Sequence, residues 1–449
     1  MNPVAAAERR LILLTGLRWL PVGFVLGVTV LLPLERGLTV PEIGGLLAIQ
    51  GFVVLALELP TGALSDTIGR RPVLVASGVL AIAASTLFLL ADSWGVFALS
   101  LLLQGVFRAL DSGALESWFV DTAHAHDPDA NLARPLGRAG AALGGAIAIG
   151  ALLGGGLIAW HPIPAGSALV PPLLLAILCY TAYVVLVLVL VRDAPGPGHD
   201  GSRTAGRTPR HPLAAVTRTL RDTPRTIAEG ARLALRSRVL AGLLLVEVFW
   251  SVAMIAFETL TPLQLEQLLG SEQDAAAVFG PASAAAWGLY AVGSILAERL
   301  SAVFGPAWTA ILSRLLNGAF VVWMGLSAGV IGILIAYGLT YLAHGSGGPV
   351  HAALLHREAG RTTRATVLSL NSMISGGAYS IGLLVLTGFA ASTSAATATV
   401  VAGAFSLLGA LCYLPALGRD RRERGGYRTG AAGLGPARDH QDAEPVPGP

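Results

Sequence analysis

The sequence contains no lysine, and all thirty of its basic side chains are arginine. A glycine-rich phosphate loop completed by a lysine is therefore absent, so ATP drive is not encoded in this chain. Charge of either sign is scarce: 13% of residues are charged and 54% are apolar, against roughly 25% charged in an average soluble domain. That balance excludes a soluble fold. There are only two cysteines, Cys179 and Cys412, both inside apolar runs, which excludes a disulfide framework and makes each a small core hydrophobe. No nucleophile stands beside a base at a catalytic spacing. His344 and His351 are seven residues apart with no third ligand at a suitable spacing, a poor pattern for a metal. No cofactor and no nucleic-acid partner is expected.

What the chain has in quantity is apolar length. Runs able to cross a ~30 Å hydrocarbon layer lie near residues 11–33, 41–60, 73–91, 95–119, 139–160 and 168–191, then near 239–263, 277–297, 306–328, 330–350, 366–390 and 395–415. The first follows Arg9 and Arg10 but is too long for a secretory signal and has no small-residue cleavage pattern, so it reads as a retained span. The expected fold is all-α and integral to the lipid bilayer, with twelve transmembrane helices in two six-helix halves, residues 1–191 and 239–416. Between the halves, 192–238 forms a polar loop with Pro195-Gly196-Pro197-Gly198 and ten arginines; from Thr223-Pro224 it has the start signals of a surface-lying helix. The tail, 417–449, is rich in Gly, Pro and charge and is expected to be disordered.

Arginine also orients the chain. With twelve spans and the N-terminus inside, only Arg36 falls in an outside segment, while Arg9, Arg10, Arg70, Arg71, Arg134, Arg138, the ten of the central loop, Arg299, Arg357, Arg361, Arg364 and six in the tail fall inside. The positive-inside rule then puts both termini in the cytoplasm of a cell (inner or plasma) membrane. Shifting the count by one span would scramble this asymmetry.

Ionisable groups at membrane depth cost ~2.5–3.5 kcal/mol on insertion scales, so each needs a partner or a wet cavity. At ~100° per residue, the fourth span would set Asp111 about 60° to one side of Arg108 and Glu116 about 80° to the other. This cluster is either a self-neutralising structural group or a proton-coupling site. In the seventh span, Glu247 and Glu258 would share one face with Ser251 and Met254; Glu247 reads as the deeper group, and Glu258 as either wet near the outer interface or cavity-lining. In the tenth, Tyr337, Tyr341, His344 and His351 share an arc of about 80°, expected to line a cavity. Glycines Gly150, Gly154 and Gly155 in the fifth span would let helices approach closely.

Gly62, Asp66, Gly69 and Arg71, with Arg70 besides, resemble the loop signature between the second and third helices of the major facilitator superfamily, with Thr67 where the family has a basic residue. Glu58-Leu59-Pro60-Thr61-Gly62, the Ala109–Asp121 segment and Arg364-Ala365-Thr366-Val367-Leu368-Ser369-Leu370 are similar to drug-efflux members. Gly150–Gly155 resembles an exporter element, with Ala151 in place of its proline. The resemblance implies a latch made of Gly62, Asp66, Gly69, Arg70, Arg71 and Asp121. It also implies a central cavity lined by the first, fourth, seventh and tenth helices, here Arg18, Glu247, Ser251, Met254, Tyr337, Tyr341 and His344. Protons would be coupled through Asp111, Glu116, Arg108 and Glu247. The implied function is secondary transport of a small-molecule substrate by a monomer, in the form of proton-coupled efflux of lipophilic or cationic compounds. Alternatives are transport of a polar or anionic metabolite bound by Arg18 and Arg108, and, from another class, a membrane-embedded enzyme or lipid-handling protein using His344 and Glu247.

Overall fold

The computed structural model describes residues 3–127, 130, 132–192, 237–359 and 364–419, with Thr217, Arg221, Ala228 and Arg232 as isolated positions; the side chains of Leu59, Gly62, Ala63, Asp66, Ala133, Arg364 and Ala365 are not among those described. The expectations for the central loop, its surface helix and residues 420–449 lie outside the described residues, apart from those isolated positions and the loop's ends. Among the described residues there is no strand, and 12 helices are long and apolar enough to cross a membrane. In a bilayer the backbone can satisfy its hydrogen bonds only internally, so apolar runs of this length become helices.

The first six spans are Pro3–Glu35, bent at Val25–Gly27; Val40–Ile68; Arg70–Leu90; Trp94–His126, interrupted at Ser112–Gly113; Ala133–Trp160; and Val170–Leu190. The last six are Arg238–Leu269, Glu272–Phe304, Pro306–Leu326, Val330–Glu358, Arg364–Ser392 and Ala395–Arg419. Three of the six starts at the end away from the termini carry side-chain caps. Thr39 and Glu42 close a capping box, with the Thr39 N–H donating to Glu42 Oε2 at 2.8 Å, and the hydroxyls of Ser271 and Ser394 accept from Asp274 and Thr397 N–H groups at 3.0 Å.

The expected polar loop from Gly62 to Arg71 is instead helical as far as Ile68, and the chain reverses at Gly69 alone. Polar residues such as Ser65 and Thr67 do not stop a helix. A backbone at φ +93°, ψ 160° does, and only glycine adopts it readily. Arg419, assigned to the tail, is also helical, and its Nη1 donates to Glu358 Oε2 at 2.8 Å.

Apolar packing differs between the two ends. Away from the termini one continuous cluster joins both sets of six spans, from Val28, Leu31 and Ile43 to Phe257, Leu263 and Phe279. At the termini end each set keeps its own cluster, around Trp118 and Phe119 in the first and around Leu243 and Tyr413 in the second. The molecule is therefore closed at the far end and parted toward the end that holds the termini.

Small residues make the closed contacts possible, since lipid offers no hydrophobic drive for helix association. A Cβ on Gly154 would come within 2.6 Å of the Phe24 carbonyl oxygen, and Gly150 lies as tightly on Leu20, so both seat the fifth span on the first. Gly155 faces the other half, where a Cβ would lie 2.6 Å from Pro281 Cδ and 3.1 Å from Gly280 Cα.

Candidate functional site in the central cavity

Three connected cavity regions of about 310, 330 and 350 Å³ lie between the two sets of six helices, and Arg108 lines all of them. The largest of the three draws walls from the first, second, fourth, fifth, sixth, seventh, eighth, tenth and eleventh spans, with an aromatic surface that includes Trp19, Phe107, Phe279, Trp287, Tyr337 and Tyr341. Tyr337 and Tyr341 are held by their own neighbours: Ser283 shares a 3.2 Å hydrogen bond with the Tyr337 hydroxyl, and Phe257 packs edge-on against Tyr341 at 5.2 Å. Met254 lines the region between the second and eleventh spans.

The fourth span does not present Arg108 between two carboxylates. Its helix stops at Asp111, turns through Gly113 at φ +69°, and restarts at Ala114, so rotation counted at a constant angle per residue fails across the break. Asp111 forms a buried ion pair with Arg18 of the first span and is approached by the Ser77 hydroxyl at 3.5 Å. The Arg18 guanidinium also lies 4.3 Å from the Trp19 ring and 5.5 Å from that of Phe107. Glu116, on the restarted segment, lines the region toward the termini. Arg108 forms no ion pair within 4.0 Å among the described residues and faces the cavity.

The seventh span also departs from uniform rotation. Ala256–Leu260 form a π turn, with the Thr261 N–H donating to the Ala256 carbonyl. Pro262 follows, and its missing N–H leaves the Glu258 carbonyl without the usual donor four residues on. Eleven residues of spacing therefore no longer place Glu247 and Glu258 on one face. Glu258, read as the shallower group, lines the cavity and accepts a 3.3 Å hydrogen bond from the Tyr379 hydroxyl. Glu247, expected in the cavity, is instead buried within the second half, 3.0 Å from His351 Nε2. The other nitrogen of that imidazole meets the Tyr413 hydroxyl at 2.9 Å.

Two further residues expected in the cavity lie behind its wall. The Ser251 hydroxyl donates to the Ser375 carbonyl at 3.0 Å, tying the seventh span to the eleventh. His344 stacks on Trp250 at 4.0 Å, and the Arg314 guanidinium lies 4.1 Å from that same ring. Arg314, buried in the ninth span with Nε and Nη1 lacking a hydrogen-bond partner among the described residues, was not singled out from the sequence, although an arginine inside an apolar run is itself a signal. Glu58 was also missed as a site residue. It lines two of the cavity regions and accepts a 2.8 Å hydrogen bond from Ser372 of the other half. At the termini end, Arg70 Nε lies 3.3 Å from Asp121 Oδ2 and donates through Nη1 to Ser65 at 2.9 Å, while Arg71 donates to the Leu188 carbonyl at 2.6 Å. Gly62 and Asp66 lie in the last turns of the second span, and the Asp66 side chain is not among those described.

The profile of the Major Facilitator Superfamily matches residues 11–289. The chain belongs to the major facilitator superfamily. Solved structures share its fold: the nucleoside transporter NupG superposes with a TM-score of 0.70 at 10% identity, covering 92% of this chain and 98% of that one. A POT family transporter in complex with 5-aminolevulinic acid superposes with a TM-score of 0.66 at 14% identity, covering 92% of this chain and 95% of that one. No curated protein matches this superfamily member by sequence. Family and fold make it a secondary transporter, not an enzyme, with a small-molecule substrate and a multi-pass membrane location.

Proposed function

We propose that this major facilitator protein is a proton-coupled exporter of small organic compounds that combine a positive charge with an aromatic or lipophilic body. It would act as a monomer in the plasma membrane with both termini cytoplasmic. The observation that supports this reading is Glu258, a carboxylate facing the cavity beside an aromatic wall that includes Tyr337, Tyr341 and Trp287. Aromatic faces and a carboxylate both attract a cation, and more strongly where water is partly excluded. Rocking of the halves would carry the bound solute across, with the Arg70–Asp121 contact and Arg71, Gly69, Gly62 and Asp66 as the latch that biases the two states. Protons would enter through Asp111, Glu116 or Glu247, with Arg108 modulating the cavity carboxylates.

A second reading, transport of a polar metabolite, draws support from Gln50, Gln104 and Arg108, which place hydrogen-bonding groups on the same cavity. Proteoliposomes holding an acidic lumen, loaded with tetraphenylphosphonium or ethidium outside, test the first. Protein-dependent, gradient-dependent accumulation lost in Glu258→Gln is expected. Accumulation of neither cation, with gradient-driven movement of a neutral nucleoside instead, would replace the first reading by the second.

A further inference from the structure

Among the described residues, Arg108 is unusual among the membrane-depth arginines in lining the cavity without an ion-pair partner within 4.0 Å. Arg18 is spent on Asp111, and Arg314 is enclosed by Trp250 within the second half. Of the nearby carboxylates, Asp111 is neutralised by Arg18, while Glu58 and Glu258 lie beyond ion-pair distance of Arg108 and accept hydrogen bonds from Ser372 and Tyr379. The break at Ser112–Gly113 takes Glu116 off the helix that carries Arg108. A guanidinium offers five donors in a planar fork suited to a carboxylate or phosphate. Left unpaired at membrane depth it is costly, and occupation by an anionic group would offset that cost.

Glu258 stands on the opposite half of the same cavity. Arg108 and Glu258 both line two of the cavity regions and are not within ion-pair distance of each other, so space separates them. Each belongs to a different rocking body, one on the fourth span and the other on the seventh. Tyr379 occupies one Glu258 oxygen and leaves the second available to the cavity.

Resting on the transport reading above, we infer that the substrate is amphoteric: a small zwitterion whose anionic group docks on Arg108 and whose ammonium docks on Glu258, with its body against the aromatic wall. A plain lipophilic cation satisfies Glu258 but leaves Arg108 unpaired and unfavourably close to the ligand's charge. A zwitterion satisfies both and ties the two halves together. The surrounding charges do not replace this arrangement, because the other groups facing Arg108 are Glu58 and Glu116 toward the termini end and the internally neutralised Arg18–Asp111 pair.

The test uses two matched sets on the purified full chain, tryptophan and phenylalanylglycine, each with its carboxamide (a cation) and its N-acetyl derivative (an anion), and measures binding at pH 7. In at least one set the zwitterion should bind about tenfold or more tighter than either blocked form, the effect of one charge-assisted hydrogen-bonded contact. Arg108→Ala should erase the preference over the carboxamide and leave that over the N-acetyl form. Glu258→Gln should do the reverse, and Arg108→Lys, which keeps the charge, should retain most of both, guarding against misfolded variants. Carboxamides that bind as well as the zwitterions, a preference unmoved by Arg108→Ala, or binding of none of the six compounds overturns the inference. Gradient-driven accumulation of tetraphenylphosphonium in the same preparation would leave the transport reading standing, so the two fail separately.

Discussion

Gly69 joins the second span to the third and Gly305 the eighth to the ninth with nearly the same backbone, φ +93° and +88°, and each is followed by a 21-residue helix. The fourth and tenth spans are then entered through Ser93 and Gly329, both at φ −141°, ψ 154°. On this shared frame the buried ionic groups differ. The first half pairs an arginine of its first span with a carboxylate of its fourth, Arg18 with Asp111; the second pairs a carboxylate of the seventh with an imidazole of the tenth, Glu247 with His351. The first is a brace between two charged groups, so that removing either strands the other; the second is a single 3.0 Å contact that an uncharged partner can still make.

The strongest way to break that comparison is to remove one partner of the brace. Asp111→Asn strands Arg18 without a counter-charge in a buried site and should cost about 3–5 kcal/mol of stability, read as a large fall in the melting temperature of the purified protein. The double variant Arg18→Met/Asp111→Leu should recover most of it. A single variant as stable as wild type would mean that the pair braces nothing.

Glu247→Gln is expected to be milder, about 1–2 kcal/mol, because an amide can still hydrogen-bond the imidazole. Its fall in melting temperature should be clearly smaller than that of Asp111→Asn, and a fall as large would mean that the second contact braces its half as strongly as the first.

The closed end can be opened selectively. Gly155→Leu wedges the halves apart at Pro281 and Gly280, whereas Gly150→Leu crowds only the fifth span against the first. A cysteine placed at Ala276, which is 2% exposed, should react with a water-soluble thiol reagent about fivefold faster in the Gly155→Leu background, a shift of ~1 kcal/mol. The same acceleration from Gly150→Leu would show that the effect is general loosening.

The smallest effect on stability belongs to the latch. Arg70 and Asp121 meet at 3.3 Å where the Asp121 side chain is 54% exposed, so Asp121→Asn should cost under about 1 kcal/mol. Transport should nonetheless slow, with substrate affinity within a few-fold of wild type, because the contact biases states without touching the ligand. Asp66→Asn is expected to behave alike. Unchanged transport in both would remove the latch from the cycle.

Much of the architecture was legible from residue order. Twelve spans, their boundaries to within a turn or so at most ends, and the Ser327–Gly329 junction between the ninth and tenth spans follow from apolar length and helix-ending residues. The site was less legible, and for one recurring reason. Reading side chains onto faces assumed uninterrupted α-helical rotation, which fails at Gly113 in the fourth span and at Ala256–Leu260 in the seventh. Those two irregularities fall beside Arg108 and Glu258. The tenth span is regular, yet its shared face extends past the cavity: Tyr337 and Tyr341 line it, while His344 and His351 engage Trp250 and Glu247.

By itself the sequence determined that the chain lives in lipid, crosses it as helices and must account for each buried charge, because those are consequences of solvent and of local hydrogen bonding. Which charge answers which was decided only in three dimensions. Arg18 reaches Asp111, Glu58 reaches Ser372 and Glu247 reaches His351 across helices far apart in the chain. Arg108 is left open to the cavity because a broken helix and partners already engaged deny it the carboxylates that lie nearby in sequence.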